Sequence, residues 1–265
     1  MNPSSTSLTR VLQDAIHTEQ DGPILRVHLN PARQDDTLSV AVLDSLLALL
    51  DGLHERPDVR VLVLSSLGED FCLGANRAEY EAALAMDPSG AVLRRIGDKA
   101  QRLCHAIENA HAVTIARLHG KVIGAGLALA AYCDLRVGAD SCRFRMPEVG
   151  LGLPPAWGGA MGRLVAEAGA ARIRELMLTC TDFDAATAHQ LGILHHVVPF
   201  SQLDRAVNAW TGPLLRRAPE ALVLTRRMLA GYARADRIAD VSLLDSHLLT
   251  GQLIPGAHKN NAPAI

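Results

Sequence analysis

Aromatic residues are scarce in this chain, only 3% of its 265 residues, so Leu, Ala and Val must fill the interior. A hydrophobic fraction of 49% is enough for a sizeable core. An excess of one charge is also missing. A formal net charge of -2 gives no basic footprint for nucleic acid and points to small, roughly neutral partners. No uninterrupted apolar run reaches the roughly 18 residues of a membrane-crossing helix, so no membrane partner is expected. The cysteines Cys72, Cys104, Cys133, Cys142 and Cys180 are odd in number and never spaced Cys-x-x-Cys, so they read as reduced core thiols. The opening Met1-Asn-Pro-Ser-Ser-Thr-Ser lacks the basic-then-apolar pattern of a secretion signal, and a cytoplasmic location is expected.

No low-complexity linker divides the chain. Ile24–Leu29 alternates as a strand, Val40–Leu53 has helical apolar spacing with Gly52 near its end, and Val61–Ser65 reads as a buried strand. A second cycle runs from the turn at Gly74 through a helix over Lys99–Asn109 to a strand over Val113–Leu118. The third has a helix over Gly126–Tyr132 and strands over Asp134–Val137 and Cys142–Arg145. From Gly158 onward helices are predicted over Gly159–Glu167, Ala170–Thr179 and Asp184–Leu191, then Gln202–Arg217 and Pro219–Ala230. Val197–Pro199 is a strand-like interruption. The recurring order without sequence self-similarity implies an α/β protein of stacked units. Residues 1–200 are expected to form the core, and 201–265 a helical subunit interface or lid.

Several chemistries fail on spacing. Gly124-Ala-Gly126 begins like a dinucleotide fingerprint, but Leu129 occupies the third glycine position. Gly120-Lys121 lacks the rest of a phosphate loop, and no Gly-x-Ser-x-Gly elbow occurs. His195-His196 has no accompanying Cys or acidic ligand spacing, so no metal site is expected there.

What remains is a pair of glycine-rich turns, Phe71-Cys-Leu-Gly-Ala-Asn76 and His119-Gly-Lys-Val-Ile-Gly-Ala-Gly126, followed by Phe144-Arg-Met-Pro-Glu148. Each turn follows a strand-like run and leads into a helical pattern. Backbone N–H groups at Ala75 and Ala125 can therefore converge on one oxygen, with Glu148 as the partner acid or base. Taken singly, each turn is a tight connection and Glu148 a solvated loop residue; their joint occurrence favours carbonyl chemistry.

These segments, continued through Leu127-Ala-Leu-Ala-Ala-Tyr-Cys-Asp134 and Val149-Gly-Leu-Gly152, resemble the crotonase superfamily of enoyl-CoA hydratases and isomerases over roughly residues 22–230. The resemblance implies a spiral of repeated ββα units with a C-terminal helical region, one continuous family domain, assembled as a homotrimer or a hexamer of two trimers. It implies an acyl-CoA thioester as substrate and no cofactor beyond the coenzyme A of that substrate. It places Ala75 and Ala125 at the two oxyanion-hole amides and Glu148 at the second catalytic carboxylate. Leu73, Gly74, Asn76 and Arg77 would bind substrate from the first turn. Gly124, Pro147 and Trp157 would do so from the second half of the site, with the segment from Arg77 to Arg95 along the acyl pocket.

Departures from the family pattern narrow the chemistry. Ala128 stands at the position of the first carboxylate, and Ala156 where dienoyl-CoA isomerases carry a further acid. Ala125 replaces the usual glycine. Arg33-Gln-Asp-Asp-Thr-Leu38 replaces a basic residue followed by Asn-Ala-Leu, leaving Arg33 for a CoA phosphate with two acids nearby; Lys259 is a weaker candidate. Trp157 brings a large ring to the turn after Glu148, where it would shield the carboxyl from water and raise its pKa. A single carboxylate favours a proton shuttle, hence double-bond isomerisation of an enoyl-CoA. Single-glutamate hydration, carbon–carbon lyase or decarboxylase chemistry, and a catalytically silent acyl-CoA binder are the alternatives. A nicotinamide-binding domain is a more distant one.

Overall fold

The computed structural model describes residues 15–29, 36–235 and 244–253. It opens with a hairpin, β1 (Ile16–Asp21) and β2 (Ile24–Leu29), that turns at Gly22 with φ +52°. β1 was not anticipated: only Ile16 is buried, so this edge strand carries no alternating signal. Helix α1 (Val40–Gly52) starts at Ser39, whose side chain accepts the Val42 N–H. It leads to β3 (Val61–Ser66), buried along its whole length as a strand covered on both faces must be.

Helices α2 (Arg77–Met86) and α3 (Ala91–Asn109) precede β4 (Val113–Leu118) and the short β5 (Lys121–Ile123). Helix α3 begins eight residues before the expected Lys99, at a left-handed Gly90. Next come α4 (Ala125–Ala131), β6 (Leu135–Ala139) and β7 (Arg143–Arg145). The helical region has α5 (Ala160–Ala168) and α6 (Ala170–Thr179), then β8 (Phe183–Asp184), α7 (Ala185–Gln190) and β9 (His196–Val198). It ends with α8 (Leu203–Leu215), α9 (Pro219–Ala235) and α10 (Asp245–Leu253).

The main sheet has the order β1-β2-β3-β4-β6-β9, parallel from β2 onward. Parallel neighbours require crossovers, and the helices between strands supply them. A smaller sheet, β5-β7-β8, lies beyond the ends of β4 and β6. Bridges Leu38–Ala75 and Cys72–Val122 extend the same pairing to the first turn. Each circuit therefore runs from a main-sheet strand through a short second-layer strand into a helix, which is the expected ββα spiral. One hydrophobic core runs from Ile16 to Leu249.

The last helix is tied into this core. Asp245 Oδ2 accepts the Gly159 N–H at 2.8 Å, at the start of α5. A Cβ at Gly97 of α3 would lie 2.8 Å from the Ser246 Cβ, so glycine permits the contact between α3 and α10. Among the described residues, no helix is long and apolar enough to cross a membrane.

Candidate active site

Backbone hydrogen bonds hold the two glycine turns together. Phe71 N–H donates to His119 O at 2.9 Å, Cys72 N–H to Lys121 O at 3.1 Å, and Ile123 N–H to Cys72 O at 2.9 Å. Gly126 makes the approach possible, because a Cβ there would lie 2.6 Å from the Cys72 Cβ. In the first turn Gly74 adopts φ +105°. Leu38 N–H donates to Gly74 O and Asn76 N–H to Leu38 O, which leaves the Ala75 N–H on the opposite edge.

In the second turn Gly124 has φ +49° and ψ −113°, and Ala125 is the first residue of α4. The N–H of a first helical residue has no acceptor inside its own helix. A Cβ on Gly74 would stand 3.9 Å from Ala125 N, so the turns meet where both amides lie. Two such donors suit an oxygen that gains negative charge.

Glu148 completes the group. A Cβ on Gly124 would lie 2.9 Å from Glu148 Oε1, which places the carboxyl directly against the second turn. Its backbone carbonyl accepts from Leu151 N–H and Leu153 N–H, fixing the loop after β7. Glu148 is half-buried, and burial pushes its carboxyl pKa up, opposed by a hydrogen bond from its own N–H. Gly124→Ala is expected to drive the carboxyl away and strain the turn, lowering turnover by about a hundredfold, the scale of a misplacement of about 1 Å. Steady-state assays with a thermal melt to confirm folding would check it.

The turns and Glu148 open on a cleft of about 780 Å³, including its mouth. Leu73, Gly74 and Ala75 line it from the first turn, and Ile123, Gly124 and Ala125 from the second. Tyr80 and Leu84 of α2, with Pro147, Leu153, Ala156 and Trp157, form its walls. Leu249 and Leu253 of α10 also line it, two contributors the sequence reading missed. Their four-residue spacing on a helix was the available signal. Exposed Arg77 and Glu81 stand among the lining residues.

A second, water-sized recess shares Gly124, Glu148 and Trp157 with the cleft. Ala128, Met146, Met161, Leu164 and Met177 line it, so the position expected to hold another acid faces apolar side chains. Trp157 is buried and borders both spaces beside Glu148.

The other residues singled out in the sequence take the following places. Asn76 does not line the cleft; its Oδ1 accepts the Glu79 N–H and caps α2. Within the segment from Arg77 to Arg95, only Arg77, Tyr80, Glu81 and Leu84 line the cleft. Glu79 Oε2 instead accepts the Val40 N–H, and Met86 is exposed. Asp36 accepts the Asp70 N–H on Oδ2 and braces the first turn. His195 Nδ1 accepts the Arg136 N–H, a structural role. Arg33 and Lys259 lie outside the described residues.

The spiral, the joined turns and the cleft match the crotonase architecture. The family model for enoyl-CoA hydratase/isomerase matches residues 19–252, and the chain belongs to that family. A mevalonyl-coenzyme A hydratase from Beauveria bassiana is 29% identical over 84% of this chain and 81% of its own. A peroxisomal Delta(3,5)-Delta(2,4)-dienoyl-CoA isomerase from Arabidopsis thaliana is 29% identical over 82% of this chain and 80% of its own. An enoyl-CoA hydratase/isomerase structure from Marinobacter aquaeolei superposes with a TM-score of 0.76 at 25% identity, covering 81% of this chain and 82% of its own.

Proposed function

We propose that this family enzyme moves the double bond of an enoyl-CoA thioester through an enolate. Glu148 as carboxylate takes a proton from the carbon alpha to the thioester. The released electron pair moves to the carbonyl oxygen, which accepts hydrogen bonds from the Ala75 and Ala125 N–H groups. The carboxylic acid formed on Glu148 then returns the proton at the gamma carbon, and the double bond moves one position toward the thioester. No cofactor beyond the coenzyme A of the substrate enters these steps.

The observation that carries the reading is the Glu148 carboxyl, raised in pKa by burial, beside two amides and an apolar Ala128 recess, whereas Glu81, the other carboxyl lining the cleft, is exposed. One group whose basicity is strengthened by burial suits removal and return of the same proton. The mevalonyl-CoA and enoyl-CoA hydratase names of the relatives favour hydration by the same Glu148 as a second reading. Ala156 in the cleft, without a carboxyl, favours neither dienoyl chemistry nor a water-anchoring acid. Incubation of 3-enoyl-CoA and 2-enoyl-CoA in deuterated solvent, followed by NMR, separates the cases. Isomerisation gives alpha exchange and a 2-enoyl product, whereas hydration gives a 3-hydroxyacyl product. Binding without exchange would leave a silent acyl-CoA binder.

The titration of Glu148 gives a further expected result. Because the base must be ionised, kcat/KM should rise with pH, with its half-point above the ordinary carboxyl value of 4.5. A half-point at or below that value would contradict burial as the setting of the base.

The proposed assembly is a homotrimer or a pair of trimers. Its support is α9, where Leu224, Met228 and Tyr232 share one exposed face with Leu229 beside them. Light scattering of the purified protein is expected to give three or six chains per particle, and a monomer would overturn this assignment.

A further inference from the structure

Asp70, half-buried beside the first turn, is a charged group that the proton shuttle leaves without a task. Between the two turns Cys72 pairs regularly: its N–H donates to Lys121 O, and its carbonyl accepts the Ile123 N–H. Continued one step back, this parallel ladder would bring the Lys121 N–H to the Asp70 backbone carbonyl. Phe71 breaks the step by donating its own N–H to His119 O. The Lys121 N–H donates instead to the Asp70 side chain, with Oδ1 at 2.7 Å. Gly120, at φ +58°, makes room for it, because a Cβ there would lie 2.5 Å from Asp70 Oδ1. Asp70 is itself held in place. Its N–H donates to Asp36 Oδ2 at 3.1 Å, and the Leu73 N–H donates to Asp36 O at 2.7 Å.

Lys121 opens β5, which ends at Ile123 and leads through Gly124 to the Ala125 N–H. A carboxylate carried by the first turn therefore grips the strand that presents the second amide. Such bonds to a charged acceptor are short and roughly twice as strong as neutral ones. We propose that Asp70 is a positioning residue for the oxyanion hole, its carboxylate setting the spacing of the Ala75 and Ala125 N–H groups through the Lys121 N–H. The Lys121 ammonium adds little, since Nζ stands 3.9 Å from Asp70 Oδ2 on an exposed side chain. What matters is an acceptor at Oδ1. This inference rests on the enolate reading, and it adds the residue that aligns the two donors.

Three variants test it. Asp70→Ala removes the acceptor, Asp70→Leu removes it while filling its place, and Asp70→Asn keeps an oxygen for the Lys121 N–H. Alpha-proton exchange of a saturated acyl-CoA ester in deuterated solvent reads the enolate step, and calorimetry reads the affinity for that ester. Exchange at saturating ester should fall about tenfold in Asp70→Ala and Asp70→Leu while affinity stays within about twofold, the mark of a loss felt in the transition state alone. The loss stays below the roughly hundredfold of a misplacement of about 1 Å, because the Phe71, Cys72 and Ile123 bonds still join the turns. Asp70→Asn should restore exchange, and the pH half-point should remain that of wild type, since Glu148 is untouched. Thermal melts confirm folding, and Asp70→Leu stands in if Asp70→Ala does not fold. Unaltered exchange in a folded variant without the acceptor, an equal loss in Asp70→Asn, or a loss of affinity alone would overturn the proposal. Ala125→Pro separates that failure from failure of the hole. Collapsed exchange in Ala125→Pro leaves the enolate reading intact, whereas full exchange there would overturn the hole and this inference with it.

Discussion

Glu148→Gln is expected to lower turnover of an enoyl-CoA by about two to four orders of magnitude, the usual contribution of a positioned general base. The amide keeps nearly the same volume against Gly124, where a Cβ would meet Glu148 Oε1 at 2.9 Å, so ester affinity should change little. Alpha-proton exchange should fall in parallel, because in the proposed shuttle the same carboxylate carries out both steps. Unaltered turnover would remove Glu148 from the mechanism. A stability signature accompanies the loss. The folded-state pKa lies above the ordinary 4.5, so the native protein holds this proton more tightly than the unfolded chain does. That contribution is fully present below 4.5 and is lost as pH rises through the raised folded value. Above this window an ionised, half-buried carboxylate remains. The glutamine variant should therefore melt higher than wild type near neutral pH, with the gain vanishing in acid. Melting curves across that range would read the effect.

Ala125→Pro should cost about two to three orders of magnitude in turnover, the scale for one lost oxyanion donor. Proline has no N–H and is well accommodated at the first position of a helix, which Ala125 occupies in α4. The substitution thus deletes a donor from the site while the helix keeps its start. The extra ring atoms also approach the place reserved for the oxygen, reinforcing the loss. A melting temperature close to wild type together with a collapsed kcat is the expected pair of results. Nearly wild-type kcat in a folded variant would show that the Ala125 amide does not face the developing charge.

The parts of the site legible in the sequence were those fixed by local backbone demands. Gly74 and Gly124 adopt positive φ, and Pro147 leads directly into Glu148, so each signal sits within a few residues of its consequence. The strands of the main sheet were readable because burial on both faces writes continuous apolar runs, as in β3. Long-range contacts left weaker marks. Gly97 looks like a helix breaker, yet it is the point of α3 on which Ser246 packs, so the first turns of α3 escaped notice. Asn76 sits within the motif, but its side chain is used three residues onward as a cap. Leu249 and Leu253 reach the cleft through contacts far away in sequence, Asp245 on Gly159 and Ser246 against Gly97.

That last attachment has a consequence for the order of assembly. The two turns and Glu148 lie in the first part of the chain, but a wall of the cleft arrives with α10, the last helix described. During synthesis, the two turns and Glu148 can be in place while this wall of the cleft is still missing. Ligand binding in a refolding experiment should therefore appear later than burial of the main sheet, because it reports the docking of α10.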